Sequence, residues 1–431
     1  MGISERIAMN TLFDKEKVTS FFGKEKKAVN SLWRWCIAAG ILGVGMGFTG
    51  VAFHNLLGMV TQLRTAFPMM VFGLPFAGLL IVFMYKKAGG DAEKGTNLVL
   101  SAIQTGKKLP FRMAPLIFAG TILTHMFGGS SGREGAALQI GGSIGNSMGR
   151  LLKLDDKDKN ILIMCGMSAC FSAMFGTPAA AAVFSLEVVS VGVMYYAALL
   201  PCVLSAVIAR GISKAMGVEA IRFTLSDIAS IDLLSGMKLI ALGAIFAAAS
   251  ILFILALNYI NGGFKKYIKN PYIKIFIAGW AIVGLSFIFG QQYLGNGSNL
   301  IGQSMLESVP WYFFLLKMLF TSITLGGGYK GGEIIPSLCI GATIGSCMAP
   351  VFGMPVALCA ACGMVSVFCG VTNSPITSIL LAVELFGVSS LYYCLISIAV
   401  SYLLSEYFSL YKSQKIMYSK YEATFINRKT H

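Results

Sequence analysis

Apolar residues run along this chain in blocks, some long and unbroken, others cut short by glycine or by single polar residues. Residues 36–57 and 237–260 form stretches long enough to cross a bilayer as helices. NLVLSAI (97–103), APLIFAG (114–120), ALQIGGSIG (137–145) and IIPSLCIGATIG (334–345) are interrupted, and several are too short to span alone. Non-helical backbone is tolerated at membrane depth only where protein or a cavity surrounds it. The pattern predicts an all-α polytopic membrane protein with many tilted and broken helices. A polar segment over 1–32 precedes the membrane domain (33–412), and a short tail (413–431) follows it. The polar start lacks the short basic region and apolar core of a cleavable signal peptide.

The blocks repeat. IGGSIG (140–145) returns as IGATIG (340–345), and CGM (165–167) as CGM (362–364). At the second offset Pro178 matches Pro375 and Glu187 matches Glu384, so PAAAAVFSLE (178–187) pairs with PITSILLAVE (375–384). The run GGSSGREGAALQ at 128–139 faces GGYKGGEIIPSL at 327–338. Four ordered matches at nearly constant spacing divide the membrane domain into halves, about 33–210 and 236–412. Transporters built this way bring broken helices together near the midplane at the interface between repeats.

Composition agrees with the pattern. Of 431 residues, 56% are hydrophobic and 12% charged, about half the charged share of a soluble domain. The net charge of +15 changes the picture only through its placement. Basic residues cluster between apolar blocks, in KKAGGDAEK (86–94), GKKLPFR (106–112), RLLKLDDKDK (150–159) and KKYIKNPYIK (265–274), and at both ends of the chain. The positive-inside rule then puts these loops and both termini in the cytoplasm. A nucleic-acid groove needs a soluble domain to hold it, and no segment is long enough to be one.

The glycine-rich runs at 127–135 and 326–332 carry the candidate chemistry. They precede helices, and helix N-termini bind anions through unpaired N–H groups and the positive end of the dipole. Two such starts, one from each half, would converge on one anion. Glu134 stands at the first of them. A carboxylate there competes with the anion, and protonation releases it; an ionisable residue at membrane depth is a functional residue by default. Arg133 is its neighbour in sequence, and within a helix the two side chains would diverge.

GREG (132–135), GGEIIP (331–336), the two Pro-to-Glu helices and the tyrosine-rich SEYFSLYKSQK (405–415) together resemble the CLC family of anion channels and anion/proton antiporters. The resemblance runs from about 35 to 412. It implies a CLC-like inverted-repeat fold, a homodimer with one pore per chain, and Glu134 as gate and proton carrier. GTNL (95–98) lies where chloride-type members read GSGIP, which puts Thr96, or Asn97 beside it, on the anion. GYKGGE (328–333), with Glu333 and Ile334 at the anion-facing start, and Val188 in place of an internal proton glutamate, resemble the fluoride/proton antiporter branch. The family's central tyrosine belongs in the last membrane helix; spacing favours Tyr411 over Tyr407. The implied anion site is Thr96, Asn97, Gly132, Arg133, Gly135, Glu333, Ile334, Ile335 and Tyr411. The implied function is fluoride export against protons at the inner (plasma) membrane, the alternative being a chloride channel or another anion/proton exchanger. Neither cofactor, metal, nucleic acid nor enzyme activity is implied, and no P-loop supports ATP-driven transport.

Other features read as packing. Cys359 and Cys362 form a CxxC inside VALCAACGM, one turn apart in an apolar helix, and none of the ten cysteines makes a convincing disulfide partner. His54, His125 and His431 have no metal spacing. Glu187 and Glu384 hold equivalent places in the repeats and are expected to bond backbone amides.

Overall fold

The computed structural model describes residues 15–89, 95–106, 109–225 and 231–431, the first fourteen of these as backbone only. Residues 1–14 of the polar start, 90–94 of the first basic loop, and Lys107 and Lys108 lie outside the described residues. Sixteen α-helices account for most of what is described. The first half holds α1 (Lys15–Ala66), α2 (Leu74–Lys87), α3 (Gly95–Thr105), α4 (Met113–Met126), α5 (Glu134–Leu151), α6 (Asp156–Phe175), α7 (Pro178–Glu187) and α8 (Leu199–Ala215). The second holds α9 (Leu233–Tyr267), α10 (Pro271–Phe289), α11 (Ser298–Leu306), α12 (Tyr312–Gly327), α13 (Ile334–Phe352), α14 (Val356–Thr372), α15 (Pro375–Phe386) and α16 (Leu391–Leu404). Among the described residues, six helical segments are long and apolar enough to cross a membrane; the shorter apolar helices, such as α4, α7 and α15, are the broken pieces.

The two halves meet in one antiparallel bridge. Gly132 N–H donates to Gly332 O at 2.5 Å, and Gly332 N–H donates to Gly132 O at 2.7 Å. From it α5 and α13 leave in opposite directions. The last turn of α5 reaches the basic loops, where Arg150 and Asn146 donate to Leu109 O. α13 ends at Gly353, near Lys238 at the other end of the 35-residue α9. The repeat is therefore inverted. A second reciprocal contact follows the same symmetry. Glu187, ending α7, accepts from Ile376 and Thr377 N–H at the start of α15, while Glu384 in α15 accepts from Ala179 and Ala180 N–H at the start of α7. Each carboxylate bonds backbone amides, as the sequence reading expected, and those amides are the positive end of the other helix. Paired glycines set the helix crossings: a Cβ on Gly141 would fall on the Gly166 carbonyl, and one on Gly341 on the Gly363 carbonyl.

The basic loops gather on one face. Arg34 pairs with Asp158, Arg112 donates to Gly89 O, Lys86 lies over the Tyr272 ring, and Ser413 N–H donates to Asn97 Oδ1. We refer to this as the basic face and to its opposite as the far face.

The tail is more than a plain polar extension. Residues 415–418 (β2) pair in parallel with Ser190–Val191 (β1) and antiparallel with Phe425–Lys429 (β3). Alternating burial along β3 explains the strand, since one side packs and the other faces out. The all-α fold thus carries one small three-stranded sheet.

Candidate functional site

Glu134 is the first residue of α5 and is fully buried. Its side chain turns back over the helix start, where Oε2 accepts from Arg133 N–H at 3.0 Å. Arg133 Nε lies 3.4 Å from Oε1, an ion-pair distance, yet neither atom has a hydrogen-bond partner among the described residues. The two side chains therefore do not diverge. Arg133 is the N-cap residue, outside the helical repeat that separates neighbours. Its guanidinium continues to His54 Nδ1 at 3.0 Å and to Met174 O.

Neither helix start is capped by a side chain, so first-turn N–H groups are left for another acceptor. Gly132 is not among them, because the bridge takes up both its N–H and its carbonyl; it braces the site. Gly135 lies one residue into α5, and its carbonyl accepts from Thr96 Oγ1 at 3.5 Å and Gln139 Nε2 at 3.1 Å. Ile334 and Ile335 open α13 and are buried, with Glu333 as its N-cap residue. Glu333 Oε2 approaches Gly135 across the bridge, 3.5 Å from where a Cβ would stand.

Tyr411 does not lie on the last helix. α16 stops at Leu404, and Tyr411 follows in irregular chain held by Leu410 N–H to Val371 O and by Thr430 Oγ1 to Tyr411 O. Its side chain is nevertheless fully buried, its hydroxyl has no partner among the described residues, and Glu333 and Glu134 are in electrostatic reach of it. Tyr407 is engaged elsewhere: its hydroxyl bonds Ser419 Oγ and its ring stacks under Arg428. Asn97 gives its amide oxygen to Ser413 N–H, which makes it first a tie to the tail.

Two cavities approach this centre. One, of about 370 Å³, is lined by Thr96, Asn97, Gln139, Glu333 and Lys412 on the side of the basic face. The other, of about 500 Å³, is lined by Arg64, His125 and Arg133. α10 connects their levels, with Pro271 and Lys274 in the first cavity and Gln291 just past its end in the second. Nineteen residues of helix cover about 28 Å, close to the hydrocarbon thickness of a bilayer.

Comparison with known proteins gives the family. The family model for voltage gated chloride channels matches residues 73–406. A chloride/fluoride channel protein of Pseudomonas syringae pv. tomato is 35% identical over 397 residues, with 90% of this chain and 88% of the relative covered. The chain belongs to the CLC (voltage gated chloride channel) family. Among solved CLC structures, a CLC-type fluoride/proton antiporter matches with a TM-score of 0.86 and 34% identity over 89% of this chain and 98% of that one. The H(+)/Cl(-) exchange transporter ClcA of Vibrio parahaemolyticus is 24% identical, with 88% of each chain covered. The CLC family is one of anion channels and transporters, not of enzymes.

Two polar groups of this CLC protein escaped sequence reasoning, and a third, weighed there between packing and the permeation region, was read as packing. Gln139 joins Thr96 to the α5 start through a 3.3 Å hydrogen bond; its signal was a lone amide one turn below Gly135 in an apolar run. Lys317 is fully buried in α12 and donates to Ser130 Oγ, Tyr293 O and Gly295 O at 2.9, 3.1 and 2.8 Å. His125, read as packing, faces the far cavity and has Nε2 3.4 Å from Gly132 O, behind the bridge.

Proposed function

We propose that this chain exports fluoride in exchange for protons, with Glu134 as both the gate the anion displaces and the group that carries the proton. The observation that carries the reading is an unpartnered tyrosine hydroxyl in reach of two carboxylates, at a pair of helix starts without side-chain caps. Fluoride is small and strongly hydrated, so it needs close, strong donors in place of water. The Tyr411 and Thr96 hydroxyls and the first-turn N–H groups at Gly135, Ile334 and Ile335 are donors of that kind. Glu333, lining the cavity on the basic face, takes the proton onward from Glu134. Arg133 holds the gate in its closed position by its N–H and its charge. Fluoride as substrate is supported by GYKGGE, by Val188, and by relatives named for fluoride. The basic face is cytoplasmic by the positive-inside rule, which places both termini inside and the membrane as the inner (plasma) membrane. The working unit is a homodimer with one pathway per chain.

Purified protein in liposomes loaded with fluoride or chloride tests this. Fluoride efflux with matched proton uptake and little chloride efflux is expected. Chloride efflux of similar size, or anion flux without proton movement, overturns the fluoride-antiport reading and favours the chloride-type alternative. Tyr411→Phe removes one hydroxyl donor. A hydrogen bond of about 0.5–1.5 kcal/mol, or up to twice that to an anion, predicts a half-saturating fluoride concentration raised by about 2- to 150-fold, read from initial efflux rates. An unchanged value removes Tyr411 from the anion site.

A further inference from the structure

Tyr411 is bound by its backbone and left open at its hydroxyl. Its N–H donates to Ser409 Oγ at 3.1 Å. Its carbonyl accepts twice, from Gln414 N–H at 2.9 Å and from Thr430 Oγ1 at 2.8 Å. The side chain is fully buried, and its hydroxyl has no partner among the described residues. A buried polar group left unpaired costs free energy, so each such case calls for a reason. Here the backbone groups are satisfied, and the open one lies within electrostatic reach of Glu333 and Glu134.

Both donors to that carbonyl belong to the tail. A helix continuing past Tyr411 would offer its carbonyl the N–H of Lys415, four residues on. Lys415 instead opens β2, whose parallel pairing with Ser190–Val191 takes the chain elsewhere. Gln414, just before it, is fully buried. Its Nε2 donates to Val188 O at 3.1 Å and to Thr372 O at 2.8 Å, and its Oε1 accepts from Asn373 Nδ2. One amide thereby ties the segment to the end of α7 in the first half and the end of α14 in the second. Thr430, just past β3, returns to the same place: its N–H donates to Gln414 O and its hydroxyl to Tyr411 O. Lys420, between the two strands, braces the hairpin by donating to Asn373 Oδ1, Tyr402 O and Ser405 Oγ. Neither Gln414 nor Thr430 lines either cavity described above, so any effect on the anion must pass through another residue. A donor fixed before the ligand arrives binds it without the cost of being ordered.

We propose that Thr430 is a positioning residue for anion binding: it closes a clasp, anchored by Gln414, in which the tail fixes the Tyr411 backbone and so holds the tyrosine hydroxyl toward the anion. The proposal rests on the reading of Tyr411 as an anion donor, but not on the choice of fluoride.

Half-saturating halide concentrations, read from initial efflux rates in liposomes with fluoride and separately with chloride as the probe, test it. Thr430→Val keeps the shape of the side chain and removes the donor, and it should raise the value about fivefold, as the loss of one ordinary hydrogen bond would. Thr430→Ser keeps the hydroxyl and should match the parent. In a Tyr411→Phe background the shift caused by Thr430→Val should vanish, because residues that act through one group are not additive. Tyr407→Phe is the comparison within the tail: it removes a hydroxyl bonded to Ser419 Oγ, leaves both donors to the Tyr411 carbonyl in place, and should leave the value unchanged. A role in tail stability alone would shift Tyr407→Phe as much as Thr430→Val, or shift Thr430→Val equally with and without the Tyr411 hydroxyl; either result overturns the clasp. A shift in Tyr411→Phe without one in Thr430→Val overturns the clasp alone, while an unchanged Tyr411→Phe overturns the anion reading of Tyr411 and the clasp with it. If the parent moves chloride but not fluoride, the fluoride reading fails and the clasp is decided with chloride. If it moves neither ion, both are wrong.

Discussion

Glu134→Gln is expected to abolish proton uptake coupled to anion efflux, by at least about 100-fold, since positioned acid–base groups contribute about 10²- to 10⁴-fold. The substitution is nearly isosteric. An amide oxygen can still accept from Arg133 N–H, the 3.0 Å bond that folds the side chain back over α5. Arg133 keeps His54 and Met174 O as partners. What disappears is the ability to take a proton and the charge that competes with the anion. The variant should therefore elute and melt like the parent, and the loss should register in the pH trace while the fold remains. Proton uptake that survives would place the carrier elsewhere, and Glu333 would be the first residue to examine.

The second large effect concerns packing. Gly141→Ala adds one carbon, yet that carbon falls on the Gly166 carbonyl and within 2.9 Å of Met167 N. These are backbone atoms of α6, so no rotamer change relieves the clash; a helix must move. Ordinary overpacking costs about 1–3 kcal/mol. A clash with backbone at a crossing that also orients α5 should exceed about 4 kcal/mol, in the range reserved for core disruption. The expected result is loss of the monodisperse peak in detergent. Gly262→Ala is the control: nothing stands within 4 Å of the added carbon, and alanine in a helix interior gains about 1 kcal/mol over glycine. A Gly141→Ala protein that folds and melts like the parent would show that α5 and α6 do not cross as closely as described.

What could be read from the sequence had a regular local signature. The offset between the glycine runs brought the two helix starts together, because two copies of one loop on an inverted axis converge; the backbone bridge between them was not foreseen. The Pro-to-Glu matches marked Glu187 and Glu384 as equivalent groups bonded to backbone amides; that each caps the other repeat's helix came from the structure. The irregular chain around Tyr411 was hidden, since SEYFSLYKSQK contains no glycine or proline to stop a helix and its turn depends on contacts with Val371 and Thr430. The approach of Arg133 to Glu134 depends on one residue's being outside the helix, a boundary that pattern alone does not fix to that precision. Lys317 and Ser130 are 187 positions apart, and nothing in either neighbourhood announces the other. The tail hairpin was missed because its partner is a two-residue strand more than 220 positions earlier.

The bridge has one more consequence. Gly132 faces Gly332, so the residues that follow them are counterparts: Arg133 answers Glu333, and Glu134 answers Ile334. A two-fold symmetric passage has no intrinsic sense of direction, because turning it over returns the same object. Here the symmetry is broken at the bridge by those two steps, in which one arm reads cation then acid and the other acid then aliphatic. At the bridge itself, polarity is carried by four side chains, which add to the asymmetry of the two cavities. Rectification can therefore drift between descendants by point substitution, with every helix left where it stands.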